Sequence, residues 1–141
     1  MRYEAVRLVQ KLRVRSESDK ITLEMSSDRE EKTEAYEVTI RVGRYEDSGV
    51  PYDWEEWRLG GYLHRHRDLP AQIRRNLDDD SVLREVYLKY GQADRDEELG
   101  PAKISYDEQC RVTLAEWHRD NKRHREGGPA LVNYAPNGQP T

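Results

Sequence analysis

Four histidines and a single cysteine are the residues of this chain that could bind a metal ion or act in covalent chemistry. His64 and His66 form an HxH pair, in which two side chains on one side of a strand could reach the same ion. The other histidines and Cys110 could add ligands. However, His64 and His124 belong to a recurring pattern whose middle copy has Asp94 at the same position. We therefore expect no metal and no cofactor, and a metal-dependent enzyme is the third of our hypotheses.

Catalysis through Cys110 gains no support from its neighbours, because no histidine has a positional link to it. A free cysteine more often behaves as a small apolar residue. One cysteine also excludes an intrachain disulfide and favours a reducing compartment. The chain contains no glycine-rich nucleotide-binding motif and no HExxH motif. These observations predict a protein that is not an enzyme.

Three stretches of the chain copy one another at a spacing of thirty residues. Each copy has an aromatic residue, then a dipeptide ending in Arg, a polar turn, Pro-Ala, and a β-branched residue two positions later. The gap between Arg and Pro is four, five and three residues, which a loop tolerates and a strand does not. We expect the three aromatic side chains to share one face of a sheet. The recurring residues are Trp57, Tyr87 and Trp117; Arg65, Arg95 and Arg125; Ala71, Ala102 and Ala130; and Ile73, Ile104 and Val132.

Alternation of apolar and polar residues predicts strands before the first copy. Residues 6–14 and 21–25 alternate on either side of a turn signal at 16–19, which suggests a long hairpin. A charged loop follows over 26–34, and the alternation is clearest over 36–42. Residues 3–15 alternate too, with a helix as the alternative. A turn signal at 47–49, followed by Pro51, should end the strand of 36–42.

The composition favours a thin structure, because only 35% of the residues are apolar, 37% are charged, and the aromatic residues are nine Tyr and three Trp. We predict an all-β protein. An N-terminal antiparallel β region, 1–53, continues into a three-unit β-hairpin meander of thirty-residue repeats, 54–141.

The last unit runs from Trp117 through His124-Arg125, Gly128-Pro129-Ala130 and Tyr134 to Asn137-Gly138. It resembles the MORN-like β-hairpin repeat proteins of bacteria and phages, over residues 56–138 only. The middle unit departs from the pattern, with Tyr87 for Trp and Asp94 for His. The resemblance implies a hairpin array that binds proteins or lipids, and it implies no reaction.

Charge is banded along the chain, although the formal net charge is only −4. Residues 58–75 hold five arginines and one acid, whereas residues 76–100 hold eight acids and three bases. Such bands can set the register of a partner surface. The recurring arginines could fix a turn by pairing with nearby acids, which we favour, or could form a ladder that binds phosphate or carboxylate groups.

The leading functional hypothesis is a non-enzymatic module for protein–protein interaction. Its specific form would be a phage or mobile-element inhibitor of a bacterial defence complex, of the anti-CRISPR type, with a bacterial host protein as the partner. The alternative is nucleic-acid binding through the arginine-rich units. No stretch is apolar enough for a signal peptide or a membrane span, so we expect a cytoplasmic protein without membrane contact. The candidate partner-binding residues are Trp54, Trp57, Arg65, Arg67, Arg74, Arg75, Asp78, Asp79, Asp80, Tyr87, Trp117, Arg123 and Arg125.

Overall fold

The structure, a computed structural model, describes residues 18–26 and 33–141, and every regular element within them is a β-strand. The all-β prediction is therefore confirmed. The element predicted for residues 3–15 lies outside the described residues. Within the described part of the chain, no helix is long and apolar enough to cross a membrane. The strands are β1 (Ser18–Ser26), β2 (Thr33–Arg44), β3 (Pro51–Leu59), β4 (Tyr62–Leu63), β5 (Gln72–Asn76), β6 (Val82–Val86), β7 (Leu88–Lys89), β8 (Gln92–Ala93), β9 (Lys103–Tyr106), β10 (Val112–Glu116), β11 (His118–Arg119), β12 (Lys122–Arg123) and β13 (Leu131–Asn133).

One large antiparallel sheet holds most of the strands, in the order β1-β2-β3-β5-β6-β9-β10-β13, with β4 paired to the end of β3. The other strands form two small hairpins, β7–β8 and β11–β12. The strands predicted over 21–25 and 36–42 lie in β1 and β2. Pro51 opens β3, where its missing N–H costs least. Trp117 itself lies between two strands, because β10 ends before it and β11 begins after it.

Three two-residue turns have both central residues at positive φ, and they recur every thirty residues. They are Gly60-Gly61, Tyr90-Gly91 and Asp120-Asn121. Positive φ at both positions is what a type I′ hairpin turn requires, and its twist matches that of the flanking strands. Glycine, aspartate and asparagine tolerate this conformation, whereas Tyr90 is an unfavourable residue for it.

The large sheet has two faces with different characters. On one face, paired residues across successive strands form a row of Ile40, Glu55, Ile73, Glu85, Ile104, Ala115 and Val132. The recurring β-branched residues predicted from the sequence thus lie in this row. Trp57, Tyr87 and Trp117 each follow a row residue by two positions, which supports the prediction that they share a face. We call this the inner face.

The core of the inner face is formed by Tyr36, Val38, Ile40 and Trp57, all of which are buried. The Trp57 and Tyr36 rings meet edge to face at 5.4 Å. Glu55 is also buried; it accepts a hydrogen bond of 2.7 Å from the indole nitrogen of Trp57 and pairs with Arg75 at 3.1 Å. A buried carboxylate costs free energy unless its oxygens are bonded, and these two partners meet that requirement.

The recurring residues make the same contacts in each copy. Each aromatic residue donates its backbone N–H to the carbonyl of the recurring Ala at 2.7–2.8 Å, as Trp57 does to Ala71. Each aromatic ring has the recurring arginine over it, with the guanidinium carbon 3.7–3.8 Å from the ring centroid. Each of these arginines also donates a hydrogen bond to the carbonyl of the recurring proline at 3.0–3.2 Å. We refer to residues 57–86, 87–116 and 117–141 as the first, second and third segments.

Candidate functional site

The second face of the sheet, which we call the outer face, has a row of basic and aromatic residues across four strands. Paired residues in β2, β3, β5 and β6 are Arg41, Trp54, Arg74 and Arg84. Trp54, Arg74 and Arg84 are half-buried, and Arg41 is exposed. A single sheet layer cannot bury both of its faces, so this row remains accessible.

Arg74 is held by three aromatic rings. Its guanidinium carbon lies 4.2 Å from the ring centroid of Trp54, 4.5 Å from that of Tyr52 and 5.4 Å from that of Tyr45. Its Nη1 donates a hydrogen bond of 3.0 Å to the hydroxyl of Tyr45. Cation–π contacts of this kind fix the orientation of a cation and leave its charge uncompensated. No carboxylate of the described residues pairs with Arg74 or Arg84.

Gly43 is required for this arrangement. It pairs with Tyr52 across β2 and β3, and a Cβ atom at Gly43 would lie 2.7 Å from the Tyr52 hydroxyl and 2.8 Å from its Cζ. The tyrosine ring therefore lies across the bare backbone of the glycine. Coverage of a strand glycine by an aromatic side chain is a known way to complete a sheet face.

Neighbouring polar residues hold the rest of the outer face in place. Arg84 donates a hydrogen bond of 2.7 Å to the Ser105 hydroxyl. Glu56 accepts a hydrogen bond of 2.7 Å from Gln72 and pairs with Arg58 at 3.3 Å. Burial by itself would raise the pKa of Glu56, but hydrogen bonds from Gln72 and Trp54, together with Arg58, hold it below its ordinary value. We define the basic aromatic face as Arg41, Tyr45, Tyr52, Trp54, Arg74 and Arg84.

Several residues predicted to bind a partner have a packing role. Trp57, Tyr87 and Trp117 are buried, as are Arg65 and Arg75. Their side chains therefore pack within the protein in this structure, and a role of these five in binding stays a prediction. Burial lowers the pKa of Arg65 to about 10. Stacking of the arginine on the aromatic ring was not foreseen, because the two residues are eight positions apart and nothing local brings them together.

The other predicted residues are dispersed over the surface. Arg67 and Arg123 are exposed, Arg125 is half-buried over Trp117, and Asp78–Asp80 form the exposed turn between β5 and β6. The basic band of 58–75 is not one surface, because alternate residues of β5 point to opposite faces: Arg74 lies on the outer face and Arg75 on the inner face. Of the predicted set, only Trp54 and Arg74 meet on the outer face.

The histidine pair is bonded within the protein. Nδ1 of His64 accepts a hydrogen bond of 3.0 Å from the backbone N–H of Tyr90, so its Nε2 carries the proton and can donate to Nδ1 of His66, 3.3 Å away. Cys110 is exposed at φ 64 in the turn between β9 and β10. Among the residues that the structure describes, no three His, Cys, Asp or Glu side chains are grouped so as to hold a metal ion.

Tyr45, Tyr52, Arg41 and Arg84 were missed by the sequence reasoning. The spacing of Tyr52, Trp54 and Glu56 in a strand would have placed these three on one face. Comparison of the chain with protein-family models, with curated proteins and with solved structures finds no match. The MORN-like resemblance therefore stays a prediction.

Proposed function

We propose that this chain is a non-enzymatic protein-binding module and that its basic aromatic face receives an acidic surface of the partner. The observation that carries the proposal is the Arg74 guanidinium, which is oriented by three aromatic rings and has no carboxylate partner within the described residues. Arg, Trp and Tyr are the residue types that dominate the free energy of protein interfaces.

The arrangement also reduces the entropic cost of binding. The Arg74 side chain is already ordered by its ring contacts and by the hydrogen bond to Tyr45, and Glu56 fixes Trp54 from the neighbouring position. Side chains that are ordered before association lose less conformational entropy when the complex forms. A guanidinium fork, in turn, matches a carboxylate in geometry and charge.

The specific form that we propose is an inhibitor, encoded by a phage or mobile element, that binds a bacterial defence complex in the manner of anti-CRISPR proteins. This form rests on the MORN-like resemblance of residues 56–138. It determines the choice of lysate for the experiment below.

Nucleic-acid binding is the second candidate, because Arg41, Arg74 and Arg84 lie on adjacent strands beside Trp54. Arginine rows with an interleaved aromatic ring suit phosphates and stacked bases. Two observations count against nucleic-acid binding. Glu56 and Glu116 lie in the adjacent row of paired residues on the same face, and the net charge of the chain is negative.

The experiment is affinity capture with the full chain from a lysate of bacteria that carry a CRISPR system. Wild type is compared with Arg74→Gln, Arg84→Gln and the control Arg67→Gln, which removes an exposed charge outside the face. We expect a captured protein that the control retains and the two face variants lose, with the Kd of the purified pair raised about thirtyfold by Arg74→Gln, the effect of a hot-spot residue.

Equal capture by all four proteins would exclude the basic aromatic face as the binding site. Loss of capture after nuclease treatment, with a steep decrease of DNA or RNA binding as salt is raised, would instead establish the nucleic-acid alternative. Circular dichroism of each variant checks that the sheet is intact.

A further inference from the structure

Two arginines of the basic aromatic face lie directly opposite each other. Arg74 in β5 pairs with Arg84 in β6, and both side chains are half-buried. Like charges at such paired positions repel, because the Cβ atoms are only about 5 Å apart. From β2 to β13 the row of paired residues that contains them has no acidic member, and it consists of Arg41, Trp54, Arg74, Arg84, Ser105, Leu114 and Asn133. An anion from outside the chain would relieve the repulsion between the two guanidinium groups.

Arg84 has two parallel donors for such an anion. Its Nη1 donates a hydrogen bond of 2.7 Å to the Ser105 hydroxyl, whereas Nε and Nη2 have no hydrogen-bond partner among the described residues. These two nitrogens form a fork that matches two oxygens of one group. Arg95 uses the same fork within the chain, since its Nε and Nη2 donate to the two oxygens of the Asp68 carboxylate at 2.8 and 2.9 Å.

Arg74 adds one further nitrogen. Its Nε is buried without a hydrogen-bond partner, and its Nη1 donates to the Tyr45 hydroxyl at 3.0 Å, so Nη2 is the nitrogen that remains for an anion. Ser105 accepts from Arg84 and keeps its own hydroxyl proton to donate. The pair of strands β5 and β6 thus presents three guanidinium N–H groups on neighbouring side chains, with a hydroxyl beside them.

Charge and the number of oxygens favour a phosphoryl group over a carboxylate. A carboxylate compensates only one of the two guanidinium charges. On the Arg84 fork it would use both oxygens, as Asp68 does on Arg95, and would have no third oxygen for Arg74. A phosphorylated side chain carries a charge of about −1.5 to −2 at neutral pH and has three strong acceptor oxygens.

We propose that the acidic group received by the basic aromatic face is a phosphorylated side chain of the protein partner. Two of its oxygens accept from Nε and Nη2 of Arg84, and the third accepts from Nη2 of Arg74. The inference rests on the proposed function and specifies the chemistry of the same site. A phosphodiester of a nucleic acid has a single negative charge and only two unesterified oxygens, so it satisfies these donors less completely.

The experiment is a nuclear magnetic resonance titration of the full chain with the peptide Gly-phosphoserine-Gly, blocked at both ends so that the phosphoryl group is its only charge. The comparison peptides are blocked Gly-Glu-Gly and the phosphoserine peptide with a methyl ester on its phosphate. We expect saturable shifts of the amides of residues 54, 74, 84 and 105 with the phosphoserine peptide. The dissociation constants of the other two should be at least about tenfold higher, the effect of one charge-assisted hydrogen bond.

Variants test the fork separately from the charge. Arg84→Lys keeps the positive charge and removes the fork, so it should raise the dissociation constant of the phosphoserine peptide about tenfold. Arg67→Gln, which removes an exposed charge outside the face, should leave it unchanged, and circular dichroism checks that each sheet is intact. Equal affinity for Gly-Glu-Gly, no response to the phosphoserine peptide, or an unchanged constant in Arg84→Lys would overturn the proposal. Tighter binding of the methyl ester would overturn it in favour of a nucleic-acid backbone.

A further arm separates this inference from the proposed function. The affinity capture is repeated with wild type and Arg74→Gln after the lysate has been treated with a phosphatase. We expect wild type to lose the captured protein after this treatment. Capture that persists in wild type and is still lost in Arg74→Gln would overturn the phosphoryl inference and leave the protein-binding function standing. Equal capture by wild type and Arg74→Gln from both lysates would overturn both.

Discussion

The two contacts between successive segments share a backbone geometry and differ in their side chains. At the first contact, Gly91 donates its backbone N–H to the carbonyl of Leu63 at 2.7 Å; at the second, Asn121 donates to Ala93 at 2.8 Å. The first contact is an apolar cluster of Leu63, Ala71, Val86, Leu88 and Ala93. The equivalent positions of the second contact are Ala93, Ala102, Glu116, His118 and Arg123.

Backbone and side chains have separate roles in these two contacts. Backbone hydrogen bonds and the type I′ turns set the geometry of both contacts, so the side chains between segments are free to vary. Leu88 and Val86 bury apolar surface and stabilise the first contact, whereas His118 and Glu116 bring polar groups to the equivalent places. We therefore expect the third segment to be held in place less strongly than the second.

Removal of the recurring tryptophans should give the largest effects. Trp57→Ala should lower the free energy of unfolding by about 3–5 kcal/mol and destabilise the whole sheet, because Trp57 is fully buried in the central cluster. Trp117→Ala should cost about 2–4 kcal/mol and act locally, as expected at the end of an array. Urea unfolding and hydrogen exchange over residues 112–134 distinguish the two. Loss of protection throughout the sheet in Trp117→Ala would contradict the weaker coupling of the third segment.

Two substitutions that swap the residue types at the equivalent positions 88 and 118 test this difference directly. Leu88→His should destabilise the protein by about 2–3 kcal/mol, because it replaces an apolar side chain in a buried cluster with an unbonded polar one. His118→Leu should raise the free energy of unfolding by about 1 kcal/mol, since it removes an unbonded buried imidazole. Thermal unfolding of both variants gives the values. Equal losses in the two variants would show that the contacts do not differ as described.

The second contact should respond to mild acid through His118. The pKa of His118 is lowered in the folded chain, because of burial and of Lys103, and Arg123 acts in the same direction while Glu116 opposes them. The stabilisation is complete above its ordinary pKa of 6.5 and is lost as pH falls through the lower folded value, since the unfolded chain takes up the proton first. The protection factor of the Trp117 amide, corrected for the intrinsic exchange rate at each pH, should fall between pH 7.5 and 5 by more in wild type than in His118→Leu. Identical pH dependence in the two proteins would disprove this role.

The smallest effect should come from the acidic turn of the first segment. Its aspartates are exposed, and Asp79 accepts hydrogen bonds of 2.9 and 2.7 Å from the backbone N–H and the hydroxyl of Ser81, through an oxygen that asparagine retains. Replacement of Asp78, Asp79 and Asp80 by Asn should change the free energy of unfolding by less than about 0.5 kcal/mol. Glu97→Gln, at the second contact, should cost more because it weakens the bonds to Glu126 and Gly127. Chemical denaturation of the two proteins is the measurement, and an equal loss would count against the special role of the second contact.

Strand positions could be predicted from the sequence where the determinants are local. Alternation located β1 and β2, and the recurring Ile73 and Ile104 do lie in strands on the inner face. The basic aromatic face could not be predicted, because Arg74 reaches Tyr45 only through the pairing of three strands and the absence of a side chain at Gly43. Such pairing depends on the geometry of the turns along the whole chain. The charge bands of the sequence carry no information about that geometry.

The backbone hydrogen bond that joins each segment to the preceding one would also allow further segments to be added by protein engineering. Leu63 and Ala93 present the carbonyls that receive the next segment, and Arg123 is the residue at the equivalent position of the third segment. A copy of residues 87–116, joined after the third segment with its own Tyr-Gly turn, would meet the same backbone acceptor. Modular lengthening of this kind would enlarge the sheet without redesign of its core, and a protein engineer could use it to present additional segments at a fixed spacing.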